Sequence, residues 1–92
     1  MTRALGLVLL LSGCVVVQKV DTAIDCHGVC SRYQSCFEST YDVSACELRC
    51  RDASSTDGDY RRKADMCNAC ISERSCASAT FACVVECAAI VP

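Results

Sequence analysis

Eleven cysteines among 92 residues are the side chains of this sequence most able to do chemistry. A thiol can form a disulfide, bind a soft metal as a thiolate, attack an electrophile or be modified. Ten of the thiols lie in two sets of five, spaced C-x3-C-x5-C-x9-C-x3-C and C-x2-C-x5-C-x6-C-x3-C. The shared five-residue gap and the shared closing C-x3-C indicate an internal repeat. The first set is Cys26, Cys30, Cys36, Cys46 and Cys50, and the second is Cys67, Cys70, Cys76, Cys83 and Cys87.

The elements that position these thiols are predicted to be helices. The segments are rich in Ala, Glu, Arg and Ser and show no alternation of apolar and polar residues, which favours helix over strand. Ser44 with Glu47 forms a capping-box pattern, and Asp25 and Asp59 are candidate N-caps. We expect helices near 25–38, 44–54, 59–76 and 80–90. The predicted fold class is all-α, with two disulfide-stapled antiparallel helical hairpins forming a small four-helix bundle.

Helical geometry also predicts which cysteines pair. Two antiparallel helices that each carry Cys-x3-Cys are joined like a ladder, with the outer cysteines paired and the inner cysteines paired one turn away. Cys36 and Cys76 each lie six residues beyond a ladder cysteine, about 120° around the helix, so both face out of their own hairpin and toward each other. The expected bonds are Cys26–Cys50, Cys30–Cys46, Cys67–Cys87, Cys70–Cys83 and Cys36–Cys76.

Apolar residues large enough to build a core are scarce. The chain has no Trp, two Phe and three Tyr. A domain this small needs covalent or metal staples to offset the entropy of folding. Phe37, Tyr41 and Tyr60 are predicted to pack between the hairpins, and the alternative is an exposed patch that contacts another protein.

The N-terminus carries an export pattern. Arg3 precedes the apolar run of residues 4–11, and Leu11-Ser12-Gly13-Cys14 resembles the lipobox of bacterial lipoproteins. The resemblance covers the first 14 residues. It implies that residues 1–13 are a signal peptide and that Cys14 receives a diacylglycerol and a fatty acyl chain such as palmitate, which together anchor the chain in a membrane.

This resemblance also sets the expected domain organisation. Residues 14–24 become a lipidated tether, 25–53 the first hairpin, 54–58 a linker and 59–92 the second hairpin. Because Val15 and not Asp follows the lipidated cysteine, the resemblance favours the outer membrane of a Gram-negative bacterium. Assigning Cys14 to the lipid leaves an even number of cysteines for disulfides.

The first cysteine set resembles a second known pattern. Residues 26–50 are similar to the twin Cx3C hairpin of the small Tim chaperones of the mitochondrial intermembrane space. The second set departs from that pattern, since it opens with Cys-x2-Cys. We interpret the resemblance as convergent geometry that implies a stapled helical hairpin and no chaperone function.

Charge argues against nucleic acid as a partner. Removal of Arg3 with the signal peptide leaves eight basic and eleven acidic residues, a formal charge of −3. The one basic cluster, residues 61–63, lacks interleaved aromatic residues and is followed by Asp65. It is predicted to be a solvated helix face, and the alternative is a contact with anionic headgroups.

Other cysteine chemistries remain as alternatives. Cys67-x-x-Cys70 is one half of a zinc site or a redox pair, thiolates with Met66 and His27 suit Cu(I), and His27 beside Cys26 suggests a nucleophile and base. The second half of a zinc site and a third catalytic group are missing from the sequence. We therefore expect an envelope lipoprotein that acts as a structural or protein-interaction module, without catalysis, cofactor or metal. The alternative is a bundle that stores Cu(I) or another soft metal.

Overall fold

The computed structural model describes the backbone of residues 2–92 and the side chains of residues 19–92. Over this part of the chain the regular elements are all helices: α1 Thr2–Cys36, α2 Val43–Thr56, α3 Gly58–Ile71, α4 Cys76–Ala82 and α5 Val84–Cys87. The predicted all-α, disulfide-stapled bundle is confirmed.

The first helix is longer than expected. It was predicted to begin near residue 25, whereas α1 is one helix to Cys36, and Asp25 is an interior residue and not an N-cap. No proline lies in residues 2–36, so no residue there removes a backbone donor or clashes with the preceding turn. The residues just before the first cysteine hairpin are therefore helical.

The start of α2 is set by Asp42. The Asp42 side chain accepts a hydrogen bond from the backbone N–H of Ala45 at 3.0 Å. Ser44, the expected cap, lies inside the first turn, so that prediction is wrong by two residues. Asp42 has the extended backbone that a cap requires, which explains why it fills this position.

The expected linker 54–58 is almost entirely helical. α2 continues to Thr56, and α3 begins at Gly58. Asp57 alone separates them, and its carboxylate accepts from the backbone N–H groups of Asp59 at 2.9 Å and Tyr60 at 3.3 Å. Asp57 is therefore the N-cap of α3, and the expectation for Asp59 is wrong. One carboxylate that satisfies two helix donors makes a longer loop unnecessary.

The second hairpin is more irregular than expected. The helix predicted over 59–76 ends at Ile71, and Ser75 caps a new helix by accepting from the Ser78 N–H at 3.2 Å. The helix predicted over 80–90 is broken at Cys83, whose backbone leaves the helical region. Ser75 explains the first break, since a serine hydroxyl favours a cap over a helix interior.

Disulfides and small residues fill the core. α1 packs against α2 and α3, and α3 packs against α5. Tyr60, Cys70, Cys87 and Val91 are partly buried against the core. No Phe or Tyr belongs to the buried cluster, although the sequence predicted Phe37, Tyr41 and Tyr60 to pack between the hairpins. The buried cluster comprises Cys26, Val29, Cys50, Ala64, Cys67, Ile71, Ala79, Cys83 and Ile90.

Candidate functional site

The structure brings together each of the five cysteine pairs expected from helical spacing. The Cα atoms of bonded cysteines lie 4.8 to 5.8 Å apart, within the range that a disulfide requires. Two bonds staple α1 to α2, and two staple α3 to the α4–α5 region. The bonds are Cys26–Cys50, Cys30–Cys46, Cys36–Cys76, Cys67–Cys87 and Cys70–Cys83.

The fifth bond joins the two hairpins. Cys36 ends α1 and Cys76 begins α4, with Cα atoms 5.3 Å apart. Cys76 reaches this position by a route that the sequence did not predict, because α3 has already ended at Ile71. Its helical phase relative to Cys70 therefore does not explain the bond.

Disulfide formation removes the reactive thiols from residues 26–87. The Cys26 sulfur is bonded to Cys50 and buried, so it is not a nucleophile for the neighbouring His27. His27 Nδ1 instead pairs with Glu47 Oε1 on α2. Met66, the other residue considered for Cu(I), is about half exposed at the surface. Bonded sulfurs are not the thiolates that Cu(I) prefers.

Among the side chains from residue 19 onward, no three His, Cys, Asp or Glu lie close enough together to hold one ion. The lipidation residue predicted from the sequence, Cys14, has its side chain outside the described residues.

An apolar cleft of about 250 Å³ lies between α1, α3 and the α4–α5 region. Its wall is built mainly from aliphatic side chains and disulfide sulfurs. This combination follows from the fold. The Cys36–Cys76 bond holds the start of α4 at the end of α1, and Cys67 and Ile71 of α3 complete the lining. The apolar lining includes Val29, Phe37, Ile71, Val84, Ala88 and Val91.

Arg32 is the charged residue of this cleft. Its Nη2 donates a hydrogen bond to the backbone carbonyl of Arg74, whereas its Nε is buried without a partner. A guanidinium nitrogen buried in this way is unfavourable unless an acceptor reaches it. The cleft therefore combines an apolar cavity with one unsatisfied cationic donor, which suits an apolar group that carries an acceptor.

Aromatic residues border the cleft on one side. The Tyr33 ring centroid lies 5.3 Å from that of Phe37 and 4.6 Å from that of Tyr41, in tilted geometries. Phe37 is half exposed, whereas Tyr60 is partly buried against the core. The three aromatic residues predicted to pack between the hairpins thus differ: Tyr60 packs against the core, Tyr41 is half-buried against Tyr33, and Phe37 remains at the surface.

Tyr60 and Asp25 have shifted acidities. Burial raises the pKa of the Tyr60 hydroxyl, opposed by the Arg49 guanidinium. Partial burial and the Asp65 carboxylate raise the pKa of Asp25, opposed by a hydrogen bond that Asn68 Nδ2 donates to Asp25 Oδ1 at 3.1 Å. Asp25 thus belongs to a polar contact between α1 and α3.

Sequence reasoning missed Arg32 and the exposed residues of the last two helices. Phe81 is 87% exposed and Val85 is 84% exposed. Arg32 lies four residues before Cys36, hence on the same helix face, and that spacing was a usable signal. The exposure of Phe81 had no local signal in the sequence.

Comparison with family models, with curated proteins and with solved structures finds no match to this chain. From residue 19 onward, no helix combines the length and apolar character needed to cross a membrane.

Proposed function

We propose that this chain is a small lipid-anchored protein of the bacterial envelope whose disulfide-stapled bundle is a protein-interaction module without catalytic activity. The observation that carries the proposal is the pairing of all ten cysteines from Cys26 to Cys87, which leaves Cys14 as the odd thiol. Five disulfides in so short a chain are typical of an oxidising compartment outside the cytosol.

The lipobox-like residues supply the second support. Leu11-Ser12-Gly13-Cys14 follows a short apolar run and precedes the disulfide-bonded part. Cleavage before Cys14 and attachment of two or three acyl chains give a stable anchor, which one chain does not. The mature protein is thereby held at a membrane, with the outer membrane of a Gram-negative bacterium as its location.

The apolar cleft is the surface on which the module binds a partner. We assign it an apolar segment of another envelope protein that carries a carboxylate or carbonyl oxygen. The aliphatic wall and Phe37 match the apolar part, and the unpartnered Nε of Arg32 matches the oxygen. This combination follows the usual anatomy of a binding pocket, in which a few polar groups orient a mainly apolar ligand.

Intact mass spectrometry of the full chain, purified from membranes and alkylated without reduction, tests the anchor and the disulfides together. We expect no alkylated cysteine and the mass of a chain that begins at Cys14 and carries diacylglycerol. The Cys14→Ala variant should retain the signal peptide and lack the lipid mass. Free thiols that bind stoichiometric Cu(I) would instead identify a metal-storage bundle, and an unmodified Cys14 would overturn the anchor.

A further inference from the structure

A second cleft, of about 450 Å³, opens between α1, α2 and α3 and differs chemically from the apolar one. Among the side chains described from residue 19 onward, its lining apart from Ala23 consists of basic and hydroxyl side chains, and none of them is acidic. These residues are Lys19, Thr22, Arg51, Ser54, Ser55 and Arg61.

The basic side chains of this cleft lack ionic partners. The ion pairs among the described side chains use His27, Arg62 and Lys63, and none uses Lys19, Arg51 or Arg61. Residues 1–18 contain no Asp or Glu that could pair with them. Cations that share one cleft repel each other, and a bound anion reverses that repulsion.

Ser54 supplies an independent observation. Its side chain is 1% exposed, it lines the cleft, and its Oγ has no hydrogen-bond partner. The adjacent Ser55 Oγ donates to the Asp52 carbonyl at 2.7 Å, as helix hydroxyls commonly do. A buried hydroxyl without such a bond is rare in a folded protein, and a ligand oxygen in the cleft would accept from it.

We propose that this cleft binds a phosphate group. Lys19, Arg51 and Arg61 have no anionic partner, and a phosphate supplies the negative charge that would pair with them. A phosphate also has enough oxygens to accept hydrogen bonds from guanidinium and hydroxyl donors together. Ser54 donates to the same anion.

Two sources can supply the phosphate: a phospholipid headgroup or a free phosphate. Lys19 lies five residues after Cys14, so the cleft entrance is within about 18 Å of that residue even for a fully extended chain. A phospholipid headgroup is therefore the nearest source if Cys14 is lipidated. The choice of the lipid source rests on the proposed anchor, whereas phosphate binding itself does not.

The test uses the full-length, disulfide-bonded, ¹⁵N-labelled chain in a non-ionic detergent at constant ionic strength, which keeps screening of the charges fixed. Inorganic phosphate is titrated first, and amide shifts of residues 51–55 are followed by NMR. Dihexanoyl phosphatidylglycerol and dihexanoyl phosphatidylcholine are titrated next. We expect saturable shifts at Ser54 with phosphate.

Two variant pairs that each remove two positive charges provide the comparison. R51Q/R61Q should weaken phosphate binding about tenfold or more, because each lost charge-assisted contact costs affinity. R62Q/K63Q removes cations that pair with Asp59 outside the cleft and should change binding less than about twofold. Ser54→Ala removes an unpartnered hydroxyl, so it should fold normally and still bind phosphate several-fold more weakly.

Each outcome is decisive. Absence of saturable shifts, or equal weakening by both pairs, overturns the phosphate site. Phosphatidylglycerol that binds about tenfold more tightly than inorganic phosphate and phosphatidylcholine supports a headgroup as ligand. Equal binding of phosphatidylglycerol and inorganic phosphate supports a free-phosphate site. None of these binding measurements depends on whether Cys14 is lipidated. Failure of the lipid anchor and failure of the phosphate site are therefore separate findings.

Discussion

Cys36, the last residue of α1, is bonded to Cys76, the first residue of α4, across 40 residues of sequence. The other four bonds close separations of 13 to 24 residues inside a hairpin. Among the five disulfides, this bond is the one that ties the first hairpin to the short helices that form one wall of the apolar cleft. Its loss should therefore act locally on those helices as well as on global stability.

We predict that Cys36→Ala/Cys76→Ala lowers the free energy of unfolding by about 4 kcal/mol, as loop-closure entropy gives for a loop of this length. Hydrogen exchange at 76–87 should accelerate more than exchange in α3, because α4 and α5 lose their attachment to α1. The control is Cys30→Ala/Cys46→Ala, which removes a bond that closes a shorter loop. Its effect should be smaller, about 3 kcal/mol, and should leave exchange at 76–87 unchanged relative to α3. Uniform acceleration in the first variant would contradict the local role.

The crossing of α1 and α3 depends on the absence of a side chain at Gly28. A Cβ there would meet the Asn68 side chain, with Cγ at 3.0 Å and the amide oxygen closer still. Asn68 is held in place by its hydrogen bond to Asp25. With Asn68 in this conformation, a side chain at position 28 would force Asn68 to shift and would strain its hydrogen bond to Asp25.

We predict that the effect of Gly28→Ala changes sign with the residue at position 68. In the native background, Gly28→Ala should lower the free energy of unfolding by about 1 kcal/mol, since the cost of overpacking exceeds the gain in helix propensity. In the Asn68→Ala background, the same change should raise the free energy of unfolding by up to about 1 kcal/mol, because only the helix-propensity effect remains. Urea unfolding of the four proteins measures the coupling. Equal effects in the two backgrounds would show that the contact is not tight.

The raised pKa of Asp25 gives a pH-dependent prediction. Because the folded chain retains this proton to a higher pH than the unfolded chain, the free energy of unfolding falls as the pH rises from the ordinary value of 3.8 through the raised pKa. Asp25→Asn removes the charged form and keeps an oxygen that accepts from Asn68. We expect the variant to be more stable than the parent at pH 7 and to lose that advantage at about pH 3.

Denaturation curves at the two pH values test this expectation. Asp52→Asn, at an exposed position of α2, is the matched control and should show no comparable gain at pH 7. A stability gain of Asp25→Asn that persists unchanged at pH 3 would show that burial and the Asp65 carboxylate are not its cause.

The cysteine pattern shows how far sequence reasoning reached. Spacing and helical phase bring Cys26 to Cys50 and Cys36 to Cys76, and the structure joins both pairs. For the second pair, the predicted helical phase is correct for Cys36 and wrong for Cys76. Ser75 caps a new helix, so Cys76 is no longer in phase with α3. Two cysteines four residues apart are close enough in sequence for helical spacing to predict their shared face. The relative orientation of Cys70 and Cys76 could not be predicted in this way, because the helix ends between them.

The two clefts were beyond local sequence patterns for a different reason. Ser54 was expected in a loop, and its burial follows from the cap at Asp57, which lets α2 continue to Thr56. The cleft that Arg32 lines is formed with residues of α3, α4 and α5, which are distant from Arg32 in sequence. Such sites are set by tertiary packing, so composition and periodicity give no signal for them.

The apolar cleft makes a prediction that a small probe can test. 8-Anilinonaphthalene-1-sulfonate joins an apolar ring system to an anion, which are the two features that the cleft accommodates. Val84 lines the cleft, whereas its neighbour Val85 does not. We expect Val84→Asp to weaken probe binding about tenfold, because it places a like charge beside the anion in an apolar wall, and Val85→Asp to change it less than about twofold.

Arg32→Gln tests the cationic half of the same cleft. It removes the guanidinium charge and keeps a shorter polar side chain, so binding of the anionic probe should weaken several-fold. Fluorescence titration measures the affinity, and an uncharged naphthalene probe is the control, which should be insensitive to this variant. Equal loss by Val84→Asp and Val85→Asp would place the probe on the exposed surface of α5, outside the cleft, and would remove the cleft as the binding surface of the module.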